Sequence, residues 1–315
     1  MTLAYYVHDL SPFLIHLWGS VGLRWYGLAY VGAFFAGIVV YRYLARRGYS
    51  DLKPDQVSDF IIWGAIFGVL LGGRVGYMLF YRFSDFVADP LSLIRVWDGG
   101  MASHGGIIGL VLFTLWYSWR HKVGWRNVGD NLVVVAPIGL FFGRVANFIN
   151  GELYGRAATV PWAVQFPKEL YSSEFPVAAR GEIVRGAVEI NPAWTSIEAI
   201  VPASRQSEPL QGVLADGLTP RHPSQLYEAA LEGLVLFAIL WVMRTRFKLR
   251  DGVITGAFFI GYALLRIAGE AFREPDAPLT GLLTRGQFLS LFLVIIGIAF
   301  MISARIRPRW APKWR

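Results

Sequence analysis

Long apolar stretches alternate with short polar connections along most of the chain. Seven of these stretches have about 20 residues, the length that a helix needs to cross a hydrocarbon core of about 30 Å. They cover residues 22–41, 57–81, 101–119, 128–148, 225–243, 252–272 and 284–304. The pattern predicts an all-α polytopic membrane protein with seven transmembrane helices.

One connection is much longer than the others. Residues 149–224 are rich in proline and mix charged with apolar positions. We expect a single membrane domain, residues 1–315, in which 149–224 form a small periplasmic (extracytoplasmic) cap between the fourth and fifth helices. Alternating positions over 160–166 predict a short strand in the cap. Its middle, 170–218, is expected to be looser.

The positions of the basic residues predict the orientation in the membrane. Lys and Arg residues cluster after the first, third, fifth and seventh apolar stretches. By the positive-inside rule these ends are cytoplasmic, which puts the N-terminus outside and the C-terminus in the cytoplasm. This placement accounts for the net charge of +8 without nucleic acid as a partner.

The composition narrows the possible chemistry. Hydrophobic residues make up 55% of the chain and the mean hydropathy is +0.44, well outside the range of soluble proteins. Because the chain contains no cysteine, it has no disulfide, no thiolate metal site and no thiol nucleophile of its own. A reacting sulfur atom would have to come from the substrate. Residues 1–20 lack the basic start of a cleaved signal peptide.

Four polar residues interrupt the apolar stretches at a similar depth. At 1.5 Å per residue, Arg74, Arg144 and Arg266 lie roughly 21–26 Å from the predicted cytoplasmic boundary, and His104 lies about 6 Å from the outer one. All four are therefore expected in the outer half of the membrane. A fixed cation at membrane depth costs a few kcal/mol, so these residues require a functional or packing role.

Spacing places several polar side chains on common helix faces. Arg144 and Asn147 are three residues apart, and Tyr262, Arg266 and Glu270 follow at intervals of four, so that Arg266 and Glu270 can pair. Such a pair could serve packing alone. The alternative is an anion site, because the guanidinium fork matches the oxygen atoms of a phosphate and keeps its charge.

Glycine and histidine positions leave two alternatives each. Glycines at every fourth position from Gly64 to Gly76 favour close helix packing, with a groove for a lipid tail as the alternative. Arg74, beside this stripe, could cap a neighbouring helix. His104 lies between two glycine pairs and is either a structural residue or a base near neutral pH. No metal site is expected, since neither His104 nor His222 lies in a metal-binding motif.

Several segments together resemble one enzyme family. Residues 143–155 read G-R-x-x-N-F-x-N-x-E-x-x-G and resemble the signature of the bacterial prolipoprotein diacylglyceryl transferases. Residues 24–27, 100–106, 222–228 and 266–273 also resemble that family, in the same order along the chain. The similarity extends over all seven apolar stretches.

The resemblance implies a reaction in the bacterial inner membrane. Enzymes of this family transfer the diacylglyceryl group of phosphatidylglycerol to the lipobox cysteine thiol of a prolipoprotein. The products are a thioether and glycerol phosphate. The implied partners are phosphatidylglycerol, the prolipoprotein signal peptide with its lipobox cysteine, and membrane lipid, and no cofactor is implied.

The resemblance also implies the site residues. Arg144 corresponds to the phosphatidylglycerol-binding residue, Arg266 to a second essential cation, and His104 to the proposed base. The supporting substrate-binding residues would be Tyr26, Asn147, Asn150, Glu152, Gly155, Tyr262 and Glu270, to which the depth analysis adds Arg74. Residues 170–218 are longer and more acidic than the family pattern.

Three other functions fit parts of the same pattern. A transporter or lipid scramblase would distribute its membrane charges over both leaflets, whereas here they are predicted in the outer one. A phospholipase or phosphatase would release glycerol phosphate without an acceptor peptide. A purely structural protein would leave the convergence of polar residues at one depth unexplained.

Overall fold

The computed structural model describes residues 5–18, 21–95, 98–274 and 285–306. The described chain is mostly helical. Its helices are α1 (Trp25–Arg46), α2 (Gln56–Trp63), α3 (Leu71–Tyr81), α4 (Phe83–Ala88), α5 (Ser103–His121), α6 (Trp125–Asn150), α7 (Val177–Ile190), α8 (Ile197–Ala203), α9 (Glu208–Gly217), α10 (Ser224–Glu228), α11 (Leu236–Arg246), α12 (Val253–Glu270) and α13 (Arg285–Ile306).

Shorter helices and strands connect these helices. The π-helical segment Gly64–Leu70 joins α2 to α3, and a second one, Ala229–Val235, joins α10 to α11. Within the described residues, 3-10 helices lie at Pro90–Leu93 and Pro167–Tyr171. The strands are β1 (Tyr6–Val7), β2 (Phe13–Trp18), β3 (Val21–Arg24), β4 (Val164–Gln165) and β5 (Pro220–Arg221).

Six helices are long and apolar enough to cross a membrane. They are Trp25–Arg46, Gln56–Tyr81, Trp125–Asn150, Ser224–Arg246, Val253–Glu270 and Gly286–Arg305, and they coincide with six of the seven predicted spans. The remaining predicted span, 101–119, forms α5, but its polar residues keep it outside this group. The protein is therefore a multi-pass membrane protein with six such helices in its described part.

The chain divides into two compact units. The first contains residues 1–33, 137–237 and 260–294, and the second contains residues 34–136, 238–259 and 295–315. This division does not follow the predicted arrangement of one membrane domain with an inserted cap at 149–224, which stays a prediction.

In the first unit, residues 170–218 form an ordered helical layer. Helices α7, α8 and α9 enclose a core of Val7, Leu170, Phe175, Ile183, Ala187, Ile200, Val201, Leu210, Leu214 and Leu218. The expectation of a looser middle is therefore wrong. The prolines do not interrupt α7 and α9, because Pro176 and Pro209 lie at their starts, where a missing N–H costs nothing.

The first unit also contains a small sheet. Strand β4 pairs in parallel with β1 and antiparallel with β5. This confirms a strand within the predicted segment 160–166, although only two residues long. Strands β2 and β3 form an antiparallel hairpin just before α1, so the fold is mostly helical rather than purely so.

In the second unit, the glycine stripe packs against α5. A Cβ atom added at Gly72 would lie 2.6 Å from the carbonyl oxygen of Gly105, and one at Gly76 would lie 2.6 Å from the Cα of Gly105. Larger residues would force the two backbones apart. The packing interpretation of the stripe is confirmed, and the contact fixes the helical turn that follows His104.

Candidate active site

Arg144 lies near the end of α6, in the first unit, and faces two acidic residues. Its Nη2 donates a hydrogen bond to Oε2 of Glu232 at 3.2 Å, and its Nε lies 3.0 Å from Oε2 of Glu228 as an ion pair. Nη1 makes no hydrogen bond to any described residue, and 17% of the side chain is exposed. The guanidinium is thus held along one edge and open at the other.

Arg266 on α12 uses the same two carboxylates from another direction. Its Nη1 donates to Oε1 of Glu228 at 2.9 Å and to Oε1 of Glu232 at 3.4 Å. Its Nη2 lies 3.0 Å from Oε2 of Glu270. The predicted pairing of Arg266 with Glu270 is confirmed, but it is one contact of a larger set.

These residues form a balanced group of charges. We call it the guanidinium–carboxylate cluster, and it consists of Arg144, Arg266, Arg273, Glu228, Glu232 and Glu270. Arg273 belongs to the group because its Nη1 donates a hydrogen bond to Oε1 of Glu228 at 3.2 Å. The Glu228 and Glu232 side chains are 1% and 0% exposed. Buried carboxylates are tolerated only when paired, so the arginines are required by the glutamates as well as held by them.

A helical irregularity carries the two shared carboxylates. Glu228 is the last residue of α10, and Glu232 lies inside the π-helical segment that follows. π-Helical segments are frequent at functional sites, and their wider turn shifts side chains out of α-helical register. Both carboxylates thereby reach the two guanidinium groups.

A second polar group lies one turn further along α6. The Asn147 Nδ2 donates hydrogen bonds to the Tyr26 hydroxyl and to Oε1 of Glu152, the latter at 3.0 Å. Nε2 of Gln225 donates to the backbone oxygen of Glu152 at 2.7 Å. Asn147 is 5% exposed. Three predicted site residues are thus joined in one network, which fixes the chain where it leaves α6.

Three further predicted residues also belong to the first unit. Gly155 donates its N–H to the oxygen of His222 at 2.9 Å, and an added Cβ would lie 2.4 Å from the oxygen of Phe272. Glycine is therefore needed there for close backbone approach. Tyr262 lies one helical turn before Arg266 on α12. Oδ1 of Asn150 is buried and has no hydrogen-bond partner in the described part of the chain.

Arg74 and His104 belong to the second unit. Arg74 is 3% exposed, and its guanidinium donates to five backbone oxygens, those of Ser92, Leu93, Arg95, Gly99 and Gly100. It holds the connection between α4 and α5 together. His104 lies exposed in the first turn of α5, and its ring has no hydrogen-bond partner among the described residues. The roles predicted for both in substrate binding and proton transfer stay predictions.

Sequence reasoning missed three residues of the cluster. Glu228 and Arg273 were named only as parts of the family-like segments 222–228 and 266–273, and Glu232 was not considered. The available signal was the presence of two acids, four residues apart, inside an apolar stretch. Acidic residues inside an apolar stretch require cationic partners. Arg144 has no acidic residue within one helical turn, so it requires acidic partners from elsewhere in the chain.

The described helices and the cluster together define a class: a multi-pass helical membrane protein with a buried, charge-balanced arginine site. Comparison with known proteins narrows this class. The family model described as "Prolipoprotein diacylglyceryl transferase" matches residues 12–303. The chain belongs to this family and is an enzyme, a transferase.

Individual relatives agree over nearly the whole chain, and each is named phosphatidylglycerol–prolipoprotein diacylglyceryl transferase. The protein of Rhodospirillum centenum is 40% identical over 309 residues, which is 96% of this chain and 95% of the relative. That of Idiomarina loihiensis is 40% identical over 304 residues, covering 94% of each. That of Neisseria gonorrhoeae is 39% identical over 302 residues, covering 92% and 94%.

Proposed function

We propose that this enzyme transfers the diacylglyceryl group of phosphatidylglycerol to the lipobox cysteine thiol of a prolipoprotein. The observation that carries the proposal is the guanidinium of Arg144, which two buried glutamates hold on one side and leave open on the other. The family membership and the relatives' names support the same reaction.

The open edge of Arg144 binds the lipid phosphate. A guanidinium donates parallel hydrogen bonds to two phosphate oxygens, and it keeps its charge at every relevant pH. Because Glu228 and Glu232 fix its orientation, little reorganisation is needed when negative charge develops on the phosphate. Arg266, held by the same carboxylates, contributes positive charge to the same group.

The transfer itself is a displacement at carbon. The substrate thiol gives its proton to a base, the role predicted for His104, and the thiolate sulfur attacks the glycerol carbon that carries the phosphate ester. A C–S bond forms as the C–O bond breaks, and the electron pair of the C–O bond leaves with glycerol phosphate. The leaving group gains negative charge in this step, so Arg144 and Arg266 stabilise the transition state more than the ground state.

The network of Tyr26, Asn147 and Glu152 positions this site. Asn147 lies one turn from Arg144 on α6 and is held from both sides by hydrogen bonds. We assign it, together with Gly155, to shaping the end of α6 where the substrate headgroup binds. Glu270 and Tyr262 line the Arg266 side.

The orientation in the membrane follows from charge. We assign the protein to the bacterial inner membrane, with the N-terminus in the periplasm and the C-terminus in the cytoplasm. The basic residues after alternate apolar stretches support this. Helix α5 is assigned as a seventh span, and residues 149–224 as a periplasmic cap, the side on which a translocated prolipoprotein presents its cysteine.

The direct test uses purified full-length protein, phosphatidylglycerol and a synthetic lipobox peptide. Mass spectrometry is expected to show one diacylglyceryl group added to the cysteine. Arg144→Ala is expected to abolish the product, and Arg185→Ala, at a position exposed on α7, serves as the matched control. Near-normal lipidation by Arg144→Ala would contradict the role of this arginine.

Two further experiments separate the proposed transfer from a phospholipase reaction and test the role of His104. With the peptide omitted, or with its cysteine replaced by serine, glycerol phosphate should not appear; its release would favour a phospholipase. His104→Gln tests the predicted base, and its activity is expected to fall most at the acid end of pH 6–9. Full activity of this variant over that range would remove His104 from the mechanism.

A further inference from the structure

An uncharged turn lies in the first unit, in the connection between α6 and α10. Residues 157–167 contain no charged side chain. A backbone hydrogen bond from the N–H of Ala163 to the oxygen of Val160, at 2.9 Å, closes a turn over residues 160–163. Pro161 and Trp162 lie exposed at its tip, and Trp162 is 61% exposed. A large apolar ring is therefore left uncovered by the described chain.

Trp162 is oriented by a tyrosine at the start of a spanning helix. Its Nε1 donates a hydrogen bond to the Tyr227 hydroxyl at 2.6 Å. The same hydroxyl lies 3.2 Å from Nδ1 of His222. Tyr227 is in the first turn of Ser224–Arg246, a helix long and apolar enough to cross a membrane. The indole N–H thus has a partner on this helix, and the apolar part of the ring remains open.

A second spanning helix ends at the same place. The ring of Phe272, two residues beyond the end of α12, lies 5.3 Å from the ring of Tyr227 and 5.2 Å from that of His222, between centroids. The oxygen of Phe272 accepts the N–H of Arg156 at 2.9 Å, and Nε of Arg156 donates to the oxygen of Arg273 at 2.9 Å. The chain that leads into the turn is therefore tied to the end of α12.

Helix length places the turn at the edge of the hydrocarbon core. At 1.5 Å per residue, Tyr227 lies roughly 28 Å from the Arg246 end of its helix, close to the thickness of about 30 Å for a bilayer core. Glu270, the end of α12, lies roughly 26 Å from Val253 on the same rise. When these helices span a bilayer, Trp162 lies where the acyl chains meet the headgroups. Tryptophan and tyrosine concentrate at this level, because each has an apolar ring and a polar N–H or O–H.

We propose that the turn of residues 160–163 docks into the lipid–water interface of the outer leaflet, with Trp162 as its anchor. The occupant is phospholipid, because the apolar surface beside the turn continues along two helices whose outer sides are covered by lipid. The exposed guanidinium of Arg156, at the ends of the same helices, suits the phosphates of the headgroup layer. The orientation assigned above serves only to name the leaflet.

Docking connects the membrane surface to the candidate active site. The anchored segment follows directly on Gly155, whose N–H donates to the oxygen of His222 at 2.9 Å. A turn held at a fixed depth therefore keeps Gly155, and with it the end of α6, at the level of the lipid headgroups.

The test measures the depth of the turn in a bilayer. Because the chain contains no cysteine, Pro161→Cys gives a single attachment point for a bimane fluorophore in the full-length protein. The labelled protein is placed in nanodiscs of phosphatidylglycerol and phosphatidylcholine, which expose both faces to water. We expect strong quenching by a lipid that carries a nitroxide near its headgroup. The quenching constant for iodide should be about fivefold or more below that of a label at Arg185→Cys, an exposed position on α7, because an anion enters an apolar phase reluctantly.

Two substitutions identify the anchor. In the Pro161→Cys protein, Trp162→Gln removes the aromatic ring and should raise iodide quenching nearly to that of the Arg185→Cys label. Trp162→Phe keeps an apolar ring without the N–H and should keep most of the lipid contact. Circular dichroism in the same nanodiscs checks that both variants fold. Equal iodide quenching in the two variants would overturn the role of Trp162.

Two results would overturn the docking itself. One is iodide quenching at Pro161→Cys as strong as at Arg185→Cys. The other is a label that iodide reaches in the free protein and that is shielded only after a lipobox peptide is added, since the surface then binds the acceptor peptide. The depth is measured without any lipidation, so this proposal and the transferase proposal fail separately.

Discussion

Arg74 and Arg144 occupy similar positions in sequence but have different surroundings. Each interrupts an apolar helix, and each was expected to bind substrate. Arg74 is almost fully buried and donates to five backbone oxygens. Arg144 is held by two carboxylates and keeps one nitrogen open. The type of partner, not depth or residue type, separates an arginine that holds a loop from one that can receive a ligand.

The largest effect is expected at Arg144. Arg144→Lys keeps the positive charge but loses the guanidinium group, which contacts two glutamates and at the same time offers a donor to the ligand. The lipidation rate should therefore fall about 10²- to 10³-fold. The rate is measured by mass spectrometry of the lipobox peptide, with circular dichroism as the check on folding. A fall of less than threefold would remove the contrast with Arg74.

Replacement of Arg74 is expected to lower stability rather than activity. Arg74→Gln leaves several buried carbonyl oxygens without a donor, which should destabilise the protein by about 3 kcal/mol. Lipidation per folded molecule should remain close to that of the wild type. Thermal unfolding in detergent, combined with the rate assay, checks both. Normal stability with lost activity would instead support the substrate-binding role first predicted for Arg74.

An intermediate effect is expected at Glu232. Glu232→Gln keeps the shape but removes a charge that orients Arg144 and Arg266, so kcat should fall about tenfold while the KM for phosphatidylglycerol stays equal or falls. Glu182→Gln, at an exposed position on α7, is the control. Equal losses for both variants would mean that the glutamate does not position the arginines.

The smallest effect concerns the pH dependence of stability. Burial lowers the pKa of His8 from 6.5 to about 4, so the unfolded chain binds a proton that the folded one excludes. Stability is therefore complete above pH 6.5 and is lost as the pH falls towards 4, by about 1 kcal/mol between pH 6 and pH 5. His8→Gln should remove this dependence. If the variant keeps the same pH profile, another group causes it.

Local pattern was enough to predict the helices but not their partners. The apolar stretches predicted seven helices close to their observed bounds, because length and hydropathy are local properties. The partners of Arg144 could not be predicted in this way. Glu232 lies 88 residues further along the chain, and a π-turn brings it to the arginine.

The helices of residues 177–217 were missed for a different reason. The segment was expected to be looser in a proline-rich connection, although proline is favoured at the first turn of a helix, where Pro176 and Pro209 lie. Gly155 was named from its motif, but the carbonyl oxygens that exclude a side chain there come from His222 and Phe272. Such contacts depend on tertiary structure.

The most direct test of the contrast is the affinity of the folded protein for phosphatidylglycerol. Dissociation constants would be measured for the wild type, Arg144→Lys and Arg74→Gln under one set of conditions. If the open edge of Arg144 binds the lipid phosphate, Arg144→Lys should bind about tenfold or more weakly, and Arg74→Gln should bind as the wild type does. Unchanged binding by Arg144→Lys, or selective loss in Arg74→Gln, would contradict the account.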